Sequence, residues 1–397
     1  MISLAGRDVY HTWKRFVFTG VGLGLLIGVT LSMAGVYRGM VDDAEALLEG
    51  SGADIWLVQK DTLGPYAEPS SLRDDIYRDV LGIKGVARAA NVTYLTMQVR
   101  QGDSDARVMV VGVTLGEPGE PNFLVAGRQM TRDHYEAVAD VKCGFHIGQT
   151  IHVRRHDYKV VGLTRRMVSP SGDPMLFIPI RDGQEAQFLK DNEAILGERD
   201  RSAANPAFNR PGVPGLLEAV QTSQTISHTV NAILVRVAEG VNPTTVAREI
   251  ERWKHLQAYT WAEMEEILVS KLILSAAQQI GMFLRILAIV TATIVAFIIY
   301  TMTIGKIREI AVLKLIGARD RSIVWMILQQ ALGLGMIGFA VGKITATLLV
   351  PVFPKHVVLT PQDTLTGFIV VMVLCVVASS LAIHAALKVD PGTAIGG

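Results

Sequence analysis

The chain has 397 residues, half of them apolar and only 19% charged, with a positive mean hydropathy, which excludes an ordinary soluble enzyme of this length. Its net charge is +1, and the basic residues gather at the ends of apolar runs, so there is no pooled basic surface for nucleic acid. Its two cysteines, Cys143 and Cys375, lie far apart and match neither a disulfide framework nor a metal-ligand spacing.

Residues 1–15 end in Lys14-Arg15 and lead into a first uncharged run, 16–37, long enough to cross a bilayer. A cleaved signal peptide is the competing reading, since Ser32-Met33-Ala34 resembles a cleavage site, but the run is long for one. Gly20, Gly24 and Gly28 fall on one face of this helix, a doubled GxxxG spacing that suits close helix packing or a dimer contact. Residues 41–48 can extend the helix beyond the membrane.

Residues 38–270 read as a large mixed α/β domain. Ala53–Gln59, Val86–Arg100 and Arg107–Val113 have strand character, with a short helix at Ser71–Leu81. Near the end, a strand at Ala232–Val237 is followed by a helix that opens at Asn242-Pro243 and runs to about Leu256. Two strand–helix–strand halves suggest one split βαβ sheet, interrupted by a β-rich insertion at about 120–225. Strands are expected there at Thr150–Val153 and Tyr158–Thr164, and Gly197–Gly215 reads as an irregular loop or a docking surface. His134, His146, His152 and His156 are too loosely spaced for a metal site, and no catalytic constellation emerges.

Residues 271–305 form a stalk and second span; from Trp261 to Gly305 a single helix of roughly 65 Å is expected. Next comes a basic loop, 306–321, in which Lys306, Arg308, Lys314, Arg319 and Arg321 face only Glu309 and Asp320. A third span (322–342), a loop (343–363), a fourth span (364–387) and a terminal segment (388–397) complete the chain. Gly338–Lys343 mimics a phosphate loop but has the wrong spacing and lies in a span. Arg285 and Lys343 fall about a membrane thickness from the basic loop and would snorkel to the opposite headgroups. The positive-inside rule places both termini and the basic loop in the cytoplasm and 38–270 outside. The fold class is therefore four transmembrane α-helices with a large α/β extracytoplasmic domain between spans 1 and 2.

The stretch Arg308-Glu-Ile-Ala-Val-Leu-Lys-Leu-Ile-Gly-Ala318 after the second span, the order span–large domain–three spans, and the closing Ala385–Ala394 segment resemble the MacB/FtsX family of ABC-transporter permeases. The resemblance implies that Arg308, Glu309, Ile310, Leu313, Lys314, Gly317 and Arg319 form a coupling region for a cytoplasmic ATPase. Ile310, Val312, Leu313, Leu315 and Ile316 would enter a groove of that partner, charge pairs from Arg308, Glu309 and Lys314 would set register, and Gly317 would cap the helix.

It further implies a homodimer in the bacterial inner membrane, bound to two copies of a separate ATPase that holds the ATP and Mg. The permease itself would bind no cofactor and catalyse nothing. Its porter-like outer domain would move to drive export or extraction of a lipid, lipoprotein, peptide or drug-like substrate, with a periplasmic adaptor or outer-membrane component and membrane lipid as further partners. The alternative is an FtsX-like signalling subunit that activates a periplasmic cell-wall hydrolase without transport; the size of 38–270 favours the first.

Overall fold

The computed structural model describes residues 13–101, 104–188, 192–207, 215–217, 220, 228–253, 255–316, 319–350, 353 and 356–387. The terminal segments 1–12 and 388–397 lie outside these. By packing, the chain divides into two compact units, one of residues 1–40 with 275–397 and one of residues 41–274.

In the 41–274 unit, Ile55–Gln59 (β1) reads IWLVQ, with its first four residues buried, as a central strand covered on both faces requires. After Leu72–Arg73 (β2) and Ile76–Leu81 (α1) come Val86–Gln101 (β3) and Ser104–Val113 (β4). The chain returns to this region with Thr229–Val230 (β10), Ala232–Val237 (β11), Pro243–Glu251 (α5) and Leu256–Thr260 (β12). The order β12-β1-β11-β3 is antiparallel throughout, with Trp56 opposite both Leu234 and Tyr259. This is the split βαβ arrangement. Val80 of α1 and Val246 and Ile250 of α5 are buried in one cluster with Ile55, Leu57, Ile233 and Val235. Each such side chain contributes about 1.5–3 kcal/mol relative to exposure. Helix α5 starts as expected: Asn242 accepts a hydrogen bond from the Thr244 amide (3.0 Å), with Pro243 at the first helical position. It ends sooner than the sequence suggests, at Glu251, because Leu256 is taken into β12 opposite Gln59.

The middle of the unit adds Leu124–Gly127 (β5), Glu136–Asp140 (β6), Thr150–Val153 (β7), His156–Thr164 (β8) and Met175–Pro179 (β9), then Ile180–Gln187 (α3) and Asn192–Ala204 (α4). All the numbered strands except β2 and β10 join one ten-stranded sheet, in which β4 pairs parallel with β9 and β9 leads to β6, β8 and β5. The sequence missed β2, β5, β6, β9, β10 and β12, and β2 lies where a helix was expected. It also read 197–215 as irregular, whereas α4 occupies the first part of it; Ala, Glu and Arg there are good helix formers that outweigh Gly197. Residues 208–214 lie outside the described set. Strand β3 serves both halves: Val86–Val92 pairs with β11 and Val92–Gln101 with β4. Val99 of β3 lies in the second core with Val108, Val110, Tyr158, Val160 and Leu176.

Glu136 anchors this second half. Its carboxylate accepts two bonds from Arg128 (2.6 and 2.9 Å) and one from the Thr131 amide (2.9 Å) while its own side chain is buried. The Arg128 guanidinium, joined by backbone amides, holds its pKa down to about 2. A depressed carboxylate pKa contributes stability above the unfolded value that is lost as pH falls from about 4.5 to about 2. Because Arg128 is half-exposed and screened, the contribution is of order 2 kcal/mol rather than the full shift. Glu136→Gln is expected to lose that stability at pH 7 and to flatten the acid limb of a denaturation profile. Cys143, in the same core, has its thiol pushed up to about 12 by burial and is unreactive.

The other unit is built on long helices. Trp13–Ser51 (α0, numbered as the helix that precedes α1) runs well past the first apolar run and ends at Gly52, whose φ of +63° is the left-handed terminator that glycine supplies at least cost. From Trp261 the chain is helical to Ile304, as Trp261–Ile267 (α6), a π-helical stretch Leu268–Ile273, and Leu274–Ile304 (α7). Glu263 accepts bonds from both the amide (2.9 Å) and hydroxyl (2.8 Å) of Thr260, fixing the start. The expected single helix is thus continuous but widened at the π stretch. Ile307–Leu315 (α8), Asp320–Leu349 (α9) and Pro361–Leu387 (α10) follow. Among the described residues, four helices are long and apolar enough to cross a membrane, in α0, α7, α9 and α10. Leu23, Ile27, Val295, Ile299, Ile327, Leu334, Val371 and Cys375 from all four form one buried cluster.

Candidate functional site

The glycine face predicted on α0 is filled from within the chain. A Cβ at Gly20 would stand 2.8 Å from Ile337, one at Gly24 would stand 2.6 Å from Val341 and 2.9 Å from the Gly338 carbonyl, and one at Gly28 would stand 3.1 Å from the Gly342 carbonyl. The stripe of α0 therefore faces Gly338 and Gly342 of α9, and of the two uses expected for Gly20, Gly24 and Gly28 the structure has close helix packing within one chain. Small residues are needed because the two backbones approach so closely.

The basic loop is a short helix with two unlike faces. Gly305 and Lys306 turn the chain out of α7, their amides bonding Thr301 and Thr303 carbonyls, and α8 starts at Ile307. Glu309 in its first turn and Lys314 in its last complement the helix dipole. Ile310 (1% exposed) and Ala311 are buried in the helical unit, and Ile310 shares its core cluster with Ile323, Ile327, Ala382 and Ala386. Lys314, only 14% exposed, donates to the Leu387 carbonyl (2.9 Å) at the end of α10 and lies 3.9 Å from Asp320 at the start of α9. It ties three helices together. The opposite face carries Arg308, Glu309, Val312, Leu315 (63% exposed) and Ile316 (79% exposed). Arg319, also exposed, caps α9 with extended backbone angles.

The sequence assigned Ile310 and Lys314 to the partner-facing side; the structure places both on the inward side. The helical spacing could have separated them, since 310, 311 and 314 share one face and 308, 312, 315 and 316 the other. The cap is at Ile316. Gly317 and the Leu313 side chain lie outside the described residues. Trp325, exposed near the start of α9, escaped the sequence reading because it sits in a span.

Elsewhere, three of the four histidines weighed as ligands are each taken by a separate carboxylate: His134 by Asp182 (2.6 Å), His152 by Asp157 (2.8 Å) and His156 by Glu185 (3.1 Å). Gly338–Lys343 is plain helix within α9, without the loop that a phosphate cradle needs. A cavity of about 1000 Å³ in the 41–274 unit is bordered by four arginines, but Arg73 pairs with Asp75 and Arg88 donates to the Gly116 carbonyl (2.7 Å).

A helical unit with a two-faced loop helix and a split βαβ domain between the first two spans is matched by two family descriptions. The MacB-like periplasmic core domain covers residues 16–253, more than half of the chain, and the FtsX-like permease C-terminal domain covers 281–391. The chain belongs to the MacB/FtsX-type ABC transporter permeases. An uncharacterized ABC transporter permease of Mycobacterium tuberculosis (strain CDC 1551 / Oshkosh) is 24% identical to this permease over 397 residues, covering 100% of both chains. A Staphylococcus haemolyticus protein that carries the name of a hemin transport system permease, HrtB, is 20% identical over 405 residues, covering 100% of this chain and 99% of its own. The periplasmic region of MacB from Actinobacillus actinomycetemcomitans aligns with a TM-score of 0.35 and 12% identity over 55% of this chain and 94% of that one, too low to carry weight. This MacB/FtsX-type permease is thus a multi-pass membrane protein whose family implies a partner ATPase.

Proposed function

We propose that this permease works with a separate cytoplasmic ATP-binding subunit, and that the exposed face of α8 is where that subunit grips it. The observation that carries the reading is the division of α8: Ile310, Ala311 and Lys314 weld the helix to the bundle, while Leu315, Ile316 and Val312 present apolar surface beside Arg308 and Glu309. A helix anchored on one side and apolar on the other suits a groove in a partner, and its attachment to α9 and α10 would pass movement into the spans. Arg308 and Glu309, with Arg319 at the next helix start, set register through charge pairs. By position in the chain alone, Gly317 and Leu313 belong to the same proposed grip.

In this reading the protein sits in the bacterial inner membrane with both termini and α8 in the cytoplasm, as its loop charges favour. ATP and Mg are held by two copies of the partner, and the permease has no catalytic step of its own. It acts as a homodimer. Because the Gly20, Gly24 and Gly28 face is already occupied by α9, the dimer seam uses the exposed apolar faces of α0 and α7, such as Phe18, Leu25, Ile289 and Phe297. The output is movement of residues 41–274 that exports or extracts an amphiphilic cargo of the lipid, lipoprotein, peptide or drug-like class, with an adaptor outside the membrane where one is used. Hemin is the cargo in the name of one relative.

The experiment is affinity purification of tagged full-length protein from its native membrane in mild detergent, with mass spectrometry of its companions. An ATP-binding-cassette ATPase in equimolar yield is the expected result. Its absence, while other membrane complexes survive, would leave α8 as a topology signal only.

A further inference from the structure

At the end of the helical unit remote from α8, a groove of about 490 Å³ opens between α9 and α10. Its walls are Phe339 and Phe368, packed edge to face with ring centroids 5.2 Å apart, and Leu359 and Leu365. Among the described residues its single cation is Lys343. The ammonium donates to the Thr364 hydroxyl (2.9 Å), and among the described residues no carboxylate lies within 4.0 Å of it. Asp363, next to Thr364, is already held by Arg38 (3.0 Å) and by the Thr360 hydroxyl (2.6 Å). An ammonium has three donors, and Thr364 uses one of them.

Lys343 lies 23 residues beyond Asp320 on the same helix, which at 1.5 Å per residue is about 35 Å, slightly more than a hydrocarbon core. The ammonium is therefore at the level of the headgroups, and the aromatic walls are at the level of the first acyl carbons. A half-buried cation with donors to spare and, among the described residues, no acid beside it offers a site at that depth to an anion from the bilayer. The volume falls in the range of small-molecule sites, enough for a headgroup and part of a chain.

We propose that this groove is a lipid site that takes one anionic glycerophospholipid, with its phosphate on Lys343 and an acyl chain along Phe339 and Phe368. Thr364 holds the ammonium toward the groove and Arg38 removes Asp363 from competition, so the protein supplies a positive site and leaves the negative one to the lipid.

The test uses full-length protein, delipidated in mild detergent and examined by native mass spectrometry with equal amounts of phosphatidylglycerol and phosphatidylcholine of matched chains. A preference for phosphatidylglycerol of roughly five-fold is expected, the size of one lysine's contribution against anionic lipid. Lys343→Gln should bring the ratio to parity and Lys343→Arg should restore it. Arg285→Gln, which removes an exposed cation on α7 whose guanidinium donates to the Gly281 carbonyl (3.2 Å), should leave it unchanged. Phe368→Ala should weaken both lipids alike. A preference that survives Lys343→Gln, that is absent from the wild type, or that falls as far in Arg285→Gln overturns the site. Displacement of the lipid by excess inorganic phosphate would also overturn it, since the site would then bind free anion.

Discussion

Replacing Leu315 and Ile316 together by Asp is expected to abolish capture of the ATPase while leaving the permease folded. Both side chains are largely solvent-exposed in the isolated chain, so the change removes nothing from its own core. In a complex, each apolar side chain transferred from water into a groove contributes about 1.5–3 kcal/mol, and two of them correspond to a loss of affinity of about a hundredfold or more. Burying a carboxylate in their place adds to the loss. The informative contrast is Ile310→Asp, which puts a charge into the bundle core beside Ile323 and Ala382 and should cost the folded protein itself. The two variants are separated by combining ATPase co-purification with a thermal melt in detergent. Normal capture by the Leu315/Ile316 variant would remove α8 as the grip.

Gly24→Leu is expected to be the most damaging single change in the first span. Its Cβ alone would come within 2.6 Å of Val341 and 2.9 Å of a backbone oxygen, and backbone cannot swing aside as a side-chain tip can. Overpacking of this kind costs about 1–3 kcal/mol, with the remaining side-chain atoms pushing toward the upper end. At Gly22, two residues away, a Cβ meets nothing within 4 Å, so Gly22→Leu should be nearly neutral. Unfolding in mixed micelles at several protein concentrations checks the pair. A Gly24 penalty that vanishes on dilution would mean the face is a seam between copies after all; one that is constant supports packing within the chain.

Much of the architecture was legible because its signals are one-dimensional. Uncharged runs longer than a bilayer, an Asn-Pro helix start at 242–243 and glycines four apart each act through local sequence. What was not legible depends on neighbours far along the chain. Strand β12 went unread beyond Leu256, the expected helix end, because LQAYT has no strong alternation, and only its pairing with β1 makes it a strand. Strands β6 and β9 are short, with every residue buried, and such runs lack the period that distinguishes strand from helix. In the candidate site, the whole apolar set of α8 was assigned to the partner, although Ile310 is needed at home. Ile310 and Lys314 are drawn inward by α9 and α10, which begin and end beside them but lie up to 73 residues away in sequence.

Strand β3 bears on how the 41–274 unit comes apart. Its sixteen residues are a ladder partner of β11 at one end and of β4 at the other, so the two hydrophobic cores share a backbone. Opening either one strips hydrogen bonds from a strand that the other still needs. The inserted half is therefore joined to the split sheet through one continuous strand, and the two halves are expected to melt in a single calorimetric transition. A load applied anywhere on this block would be borne by all of it, so the domain can be displaced as a body without being unravelled.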